Sequence, residues 1–310
     1  NRDSSRRSTR SFRCWCSIRF TSIWTCNVSI AFGDSIILKV YRRLRSGVQP
    51  EVEMARFLTN VGRFGNMPSY LGAIEFAQDG EGSAVLASAF EFVRNQGDAW
   101  EVMSSALHRD MENADLISTA APVTDEAENA FFFPLNLGET LGRRTAELHR
   151  ALATETDDEA FKAVKTGKSD VKDWIKSARA DLDEMMKALK SARSRYSDET
   201  AELIGNIIDL RGDLSKRLDA CLSHTPSGGR SRIHGDYHLG QVLVAADDVV
   251  IIDFEGEPRR SIEERRAKMS PLRDVAGMLR SIDYLAADAI RRRGPMAVPV
   301  DDRAFARAEL

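Results

Sequence analysis

The sequence predicts an α+β protein of two lobes: a small antiparallel sheet with one helix, then a mainly helical part. Three observations predict it. Between Asn27 and Val93, short β-rich runs alternate with turn residues, whereas from Ala99 onward apolar residues recur at helical spacing. The polar stretch Arg94-Asn95-Gln96-Gly97-Asp98 follows the last strand and reads as a hinge. Within the helical part, Arg232–Gly256 breaks the helical pattern with two short apolar strands flanked by acids. The expected division is 1–26 as an atypical leader, 27–96 as the sheet lobe and 97–310 as the helical lobe.

Composition bounds the function. A chain of 310 residues is long enough for two lobes around a substantial core. Its 43% apolar and 29% charged residues are ordinary for a globular protein. A net charge of −3 gives no reason to expect nucleic acid or an anionic membrane as partner. No apolar run approaches the roughly 18 residues of a spanning helix. Cys14, Cys16, Cys26 and Cys221 make neither a disulfide framework nor a paired CxxC metal site, and a reducing cytoplasm is expected.

Residues 1–26 are rich in Arg and Ser, nearly free of acids and without a clean period. A transit peptide has such a composition; a poorly structured or wrongly translated start accounts for it more simply. Order begins with strand-like Asn27–Phe32, a turn at Gly33-Asp34 and a returning strand, Ser35–Val40. Lys39, at the end of that apolar run, is either a solvated edge residue or a phosphate-contacting lysine. Pro50 opens a helix with Met54, Phe57, Leu58 and Val61 as its apolar stripe. Glu51 and Glu53 both lie in its first turn, where carboxylates favour the helix dipole; on the functional reading, one of them pairs with Lys39. Leu71–Phe76, a turn at Asp79-Gly80 and Ser83–Val93 complete a sheet of about five strands.

The helical part is expected as Trp100–Ala114, Gly138–Ala153 with His149, a charged helix within Asp158–Ser194 containing Trp174, and Ser197–Leu222. The charge of the third reads as a solvated face. A flexible break at Pro226–Gly229 precedes the acid-flanked strands. Beyond them, Glu257–Ser270 is charged and irregular, and Pro271 begins a helix running to about Ile290 in which Asp274 either anchors the preceding loop or caps the helix.

The chemistry concentrates in RIHGDYHLGQVLVAADDVVIIDFEG, residues 232–256. His234-Gly235-Asp236 leads into a strand from Gln241 to Val244, a hairpin at Asp247-Asp248 and a strand from Val249 to Ile252 that runs into Asp253-Phe254-Glu255. Protein kinases hold ATP and magnesium with HRD-x4-N followed by DFG. Here HGD stands in place of HRD, Gln241 falls five residues after Asp236, and DFE takes the place of DFG. Phosphoryl transfer needs positioning and charge neutralisation more than covalent help. Asp236 suits acceptance of a proton from an attacking hydroxyl. Gln241 and Asp253 suit oxygen ligation of Mg2+ carrying nucleotide phosphates. Taken singly, His234 and His238 read as satisfied structural histidines. The fold expected is therefore protein-kinase-like.

The blocks HGDYHLGQVL, IIDFEGEP, SPLRDVAGMLRS-DY and LGRRTAELH resemble the bacterial maltokinases, which are often fused to or encoded beside trehalose synthase. ILKVYRRL and the following Gly47–Glu53 are similar to that family's first lobe, and the agreement runs with gaps from about Asn27 to Ala287. The aminoglycoside phosphotransferase-like families share the HGD and D-x-E skeleton, but usually place Asn where this chain has Gln241. The resemblance implies ATP-dependent phosphorylation of maltose to maltose 1-phosphate, feeding α-glucan synthesis. It makes Asp236 the base, Gln241 and Asp253 the Mg2+ ligands, Lys39 the phosphate lysine and Glu53, rather than Glu51, its helix partner. Asn27 and Ser29 match polar positions of a phosphate-covering hairpin. Residues 1–26 do not resemble the family's cap subdomain, and the family's last helices are not matched, so a truncated chain is expected. The alternatives are a kinase of another small molecule, aminoglycoside-like, and a non-catalytic domain that binds nucleotide or a trehalose synthase partner.

Overall fold

The computed structural model describes residues 27–78, 82–118, 132–223 and 227–293. The expectations for residues 1–26, for the turn at Asp79-Gly80 and for Pro226 therefore lie outside the described residues. The architecture is the kinase-like one: an antiparallel sheet lobe with one helix, joined to a lobe of helices.

The sheet is β1 (Asn27–Phe32), β2 (Ile36–Tyr41), β3 (Tyr70–Gln78) and β4 (Gly82–Glu91), in the order β1-β2-β4-β3. Four strands among the described residues form it, where about five were expected. Gly33, at φ +59°, supplies the left-handed step that turns β1 into β2. The register sets Ser29 opposite Lys39 and Asn27 opposite Tyr41, and Lys39 opposite Ser88 of β4. Helix α1 (Pro50–Asn60) starts on proline and buries Met54, Phe57 and Leu58.

The second lobe comprises α2 (Ala99–Ser118), α3 (Phe132–Leu152), α4 (Lys168–Ala192), α5 (Asp198–Asp209) and α6 (Arg211–Ala220). Between α3 and α4, β5 (Val164–Lys165) pairs with β6 (Gly229–Arg230), which follows α6, and β7 (Val242–Ala245) pairs with β8 (Asp248–Ile251). Helices α7 (Ile262–Arg266) and α8 (Leu272–Arg293) follow. Two expectations are corrected here. Residues 197–222 are two helices broken at Leu210, not one. The segment 257–270, expected as irregular, carries α7, whose start is fixed by reciprocal bonds between Ser261 and Glu264. That S-x-x-E signal was present in the sequence.

The hinge is tied to the hairpin. Gln96 N donates to Val244 O at 2.8 Å and Val244 N to Gly97 O at 3.0 Å, so these two hinge groups are already committed. Asn66 N–H groups reach Val249 O at 3.0 Å and Asp248 at 3.2 Å, and Arg144 of α3 clamps Asp248 with two bonds of 2.9 and 2.6 Å. A single buried cluster runs from Met54, Phe57 and Leu58 of α1 through Leu148 and Phe161 to Val242, Val249 and Ile251 of the hairpin. No helix among the described residues is long and apolar enough to cross a membrane.

Candidate active site

Strand alternation puts Lys39 and Tyr41 on one face of β2, the face that α1 covers. Lys39 Nζ pairs with Glu51 and lies 3.0 Å from Asp253 Oδ1. Tyr41 donates its hydroxyl to Glu51 at 2.7 Å. Burial by itself would drive the Lys39 amine down, but the Asp253 and Glu51 charges outweigh it and hold the pKa above its ordinary value. The amine is therefore an ammonium at neutral pH. Asp253 is pushed up by burial and pulled further down by Lys39, ending below its usual range.

Glu53 is not the partner of Lys39, and this corrects the pairing implied by the resemblance. Its carboxylate accepts from Arg232 at 2.7 Å and from Arg266 at 2.6 and 2.9 Å. The reason is helical geometry: residues two apart are turned by about 200°, so only one of Glu51 and Glu53 faces β2. Period-2 reading of β2 would also have found Tyr41, which the sequence analysis missed.

The His234-Gly235-Asp236 turn is held from below. Asp274, fully buried at the start of α8, accepts from His234 N and Gly235 N, each at 2.9 Å, and from His149 Nε2 at 3.0 Å. Of the two readings of Asp274, anchoring the loop is therefore the one the structure has. His234 is buried, with Nε2 2.9 Å from Ile252 O and its ring between Tyr237 and Phe254. His238 caps the short turn at Leu239–Gln241 by accepting from Gly240 N at 3.1 Å. Each histidine thus holds a local backbone group: His234 at Ile252 and His238 at Gly240. Asp236 stays half-buried, and burial raises its pKa against the pull of His238 and His234, with Glu257 and Asp253 pushing the same way as burial. Gln241 lies in that turn rather than in the strand, and its amide is near enough to Asp253 to help hold that carboxyl down; Asp253 sits at φ +65°.

Asn27 donates to Glu255, two residues past Asp253, so β1 is tied directly to the DFE tip. Burial, with the Asp253 and Glu51 charges, pushes the Glu255 carboxyl up to about 7. Ser29 reaches the same face through its register with Lys39. Lys39 thus meets Asp253, and Asn27 meets Glu255 two residues further on, while Ser29 stands opposite Lys39 in the register and Asp236 is near enough to feel the Asp253 charge; Glu53 pairs elsewhere. The donor set is all oxygen: Glu51, Asp253 and Glu255 place carboxylate oxygens within 4.8 Å of one another, with the Gln241 amide beside them. With no thiolate or free imidazole in the set, this chemistry fits Mg2+.

Gly277 of α8 carries the close approach that seats the turn. A Cβ there would stand 2.8 Å from the Tyr237 carbonyl oxygen. Gly277→Ala would gain about 0.5–1 kcal/mol of helix preference and lose about 1–3 kcal/mol to overpacking. A thermal melt should show a net fall of a few degrees; an unchanged or higher Tm would show that the helix gives way freely.

Residues 29–281 match the sequence pattern of the phosphotransferase enzyme family. A glucosamine kinase of Streptacidiphilus jiangxiensis is 27% identical over 281 residues, covering 90% of this chain and 57% of that protein. Another, of Mycolicibacterium smegmatis, is 25% identical over 267 residues, covering 86% and 58%. This chain thus spans less than two thirds of the length of these relatives. A solved glucosamine kinase in complex with glucosamine, ADP and inorganic phosphate shares the fold at a TM-score of 0.69, with 24% identity over 91% of this chain and 63% of that one.

Proposed function

The chain belongs to the phosphotransferase enzyme family, and from that premise we propose that it moves the terminal phosphoryl group of ATP onto a sugar hydroxyl. The observation that carries this is the ammonium of Lys39 held between Glu51 and Asp253, in the same cleft as Asp236. Residues 27–96 then act as the lobe that covers the nucleotide, and 97–310 as the lobe that presents the acceptor. In such a cleft Lys39 binds the phosphates, while Asn27 and Ser29 lie on the strand above them. Asp253 and Gln241 would hold Mg2+, which would supply neutralisation of phosphate charge when bound. Asp236 aims the acceptor hydroxyl and takes its proton. The hydroxyl oxygen forms its bond to phosphorus as the bond from phosphorus to the ADP oxygen breaks. ATP as donor puts this work in the cytoplasm.

Two acceptors are to be separated, and the relatives found are glucosamine kinases rather than the maltokinases expected from the sequence. Glucosamine is favoured by the names of the relatives, and maltose, with a trehalose synthase partner, by the HGDYHLGQVL and IIDFEGEP blocks. Phosphorus NMR of the chain with Mg-ATP and, separately, glucosamine, maltose and kanamycin tests the reading. A new sugar phosphate signal is expected with one of the first two. Absence of transfer to all three, in a sample that still binds ATP, would leave a nucleotide-binding domain instead.

The assignment of Glu51 has its own test. Glu51→Gln removes a charge-assisted partner of Lys39, worth about 1.5–3 kcal/mol, so kcat/KM for ATP should fall about 10–100-fold. An ATP dependence matching the unmodified chain would show that Asp253 alone sets the lysine.

A further inference from the structure

β1 is an edge strand: among the described residues it pairs with β2 and with no other strand. A side-chain bond ties its first residue to the second lobe, from the Asn27 amide to Glu255 Oε1. Both residues are 6% exposed, so the bond works where water offers a polar group little alternative. Where β1 lies over the cleft follows in part from where Glu255 is held.

Arg265 of α7 holds it. Nη1 of that arginine donates to the Glu255 carbonyl oxygen at 3.3 Å and stands 3.8 Å from the carboxylate oxygen Oε2. The stem of Arg265 lies against Gly256, which sits at φ +74°; a Cβ there would come within 3.3 Å of the Arg265 Cβ and Cγ. The base from which Arg265 reaches is braced on three sides. Arg266 takes Glu53 of α1 at 2.6 and 2.9 Å. Arg260, just before α7, bonds to Asp181 of α4 at 2.6 Å. Met269 and Ser231 exchange backbone bonds of 3.1 and 2.8 Å just before the His234-Gly235-Asp236 turn.

Packing alone does not explain an arginine at this position. Its side chain is 6% exposed, and its Nε has no partner among the described residues. A buried donor left without a partner costs stability, and an apolar side chain would fill the space beside Gly256 without that cost. What an apolar residue lacks is a donor for the Glu255 carbonyl and a charge facing its carboxylate.

We propose that Arg265 is a positioning residue of the transfer reaction: it holds Glu255 so that Asn27 fixes β1 closed over the nucleotide phosphates. The proposal rests on the reading of the cleft as a phosphotransferase site. Arg265 meets neither substrate nor metal and acts through Glu255. The segment carrying α7 then couples the second lobe to the strand above the nucleotide.

The test uses the whole chain with Arg265→Met, which keeps the stem, Arg265→Lys, which keeps a donor and a charge, and Asn27→Ala, alone and combined with Arg265→Met. Hydrogen–deuterium exchange of the β1 amides without nucleotide reads the strand itself. The KM values for ATP and for whichever of glucosamine and maltose is phosphorylated read the reaction. Arg265→Met should speed β1 exchange at least about tenfold and raise the KM for ATP about 10–100-fold, the loss of a bond to a charged group. The KM for the sugar should stay within about twofold, and Arg265→Lys should recover most of both losses. The double variant should be no worse than the worse single one, since both changes cut the same connection. Melting temperatures check folding; if the Met variant does not fold, Arg265→Gln, too short to reach the Glu255 carbonyl, is read in the same way. Unchanged β1 exchange, a wild-type KM for ATP, or additive effects in the double variant would each overturn the proposal and leave the kinase reading standing. Faster β1 exchange in Arg265→Met, in a chain that phosphorylates no acceptor, would uphold the tie from α7 to β1 and remove the kinase reading.

Discussion

Asp236→Asn should lower kcat by about 10²–10⁴-fold, the usual contribution of a positioned base, while the chain keeps its nucleotide. The substitution preserves size and removes the proton acceptor, and the turn around it is held by Asp274, His234 and Ile252 rather than by Asp236 itself. The pH dependence has a definite sign. Burial holds the Asp236 pKa above the ordinary carboxylate value, and the base works ionised. Activity should therefore rise with pH through an inflection above about 3.9, the reference value for Asp. Stability moves the other way: the folded chain binds this proton more tightly than the unfolded one, so the contribution present at low pH is lost as pH rises through the raised value. Measuring kcat/KM against pH in both forms checks this. An Asn variant with near-normal turnover, or one that keeps the acid inflection, would remove Asp236 as the base.

Glu53→Met should destabilise the chain by about 3–5 kcal/mol, the range for stripping one partner from a buried ion pair. Arg232 is 1% exposed, bonds to Glu53 at 2.7 Å, and holds its guanidinium 5.0 Å from the Phe161 ring. Phe161 stacks on Phe57 of α1 with ring centroids 3.8 Å apart. Without Glu53, a fully buried guanidinium is left beside Arg266, a second cation. The double change Glu53→Met/Arg232→Met removes both members and should recover most of the loss, because well-packed apolar residues replace such pairs at little cost. Denaturant unfolding of the single and double variants gives the coupling directly. Equal destabilisation in the two would mean that the charges do not act as a pair.

The two outcomes separate the acids of α1. Glu51→Gln is expected to act on ATP use and Glu53→Met on stability, although both stand in the same first turn of the same helix. From the linear chain they were equivalent candidates, each near Lys39 and each favourable to the helix dipole. What distinguishes them is which side of α1 packs on β2 and which packs on the second lobe. Arg232 and Arg266, the partners of Glu53, are 179 and 213 residues away.

Local chemistry was legible throughout. Turn residues, strand alternation, the proline start of α1 and the spacing of His234, Asp236, Gln241 and Asp253 pointed to the kinase-like fold that the structure has. These are properties of neighbouring residues, and the backbone rules that act on them are short-ranged. The capping box at Ser261 and Glu264 was equally local and could have been read. Tertiary structure alone decided the rest: Asp274 as anchor rather than cap, Glu51 rather than Glu53 for Lys39, and Gln96 and Gly97 tied to Val244. Each depends on pairing groups far apart in the chain, where burial removes water as the competing partner and leaves a polar group only the neighbour that packing brings to it.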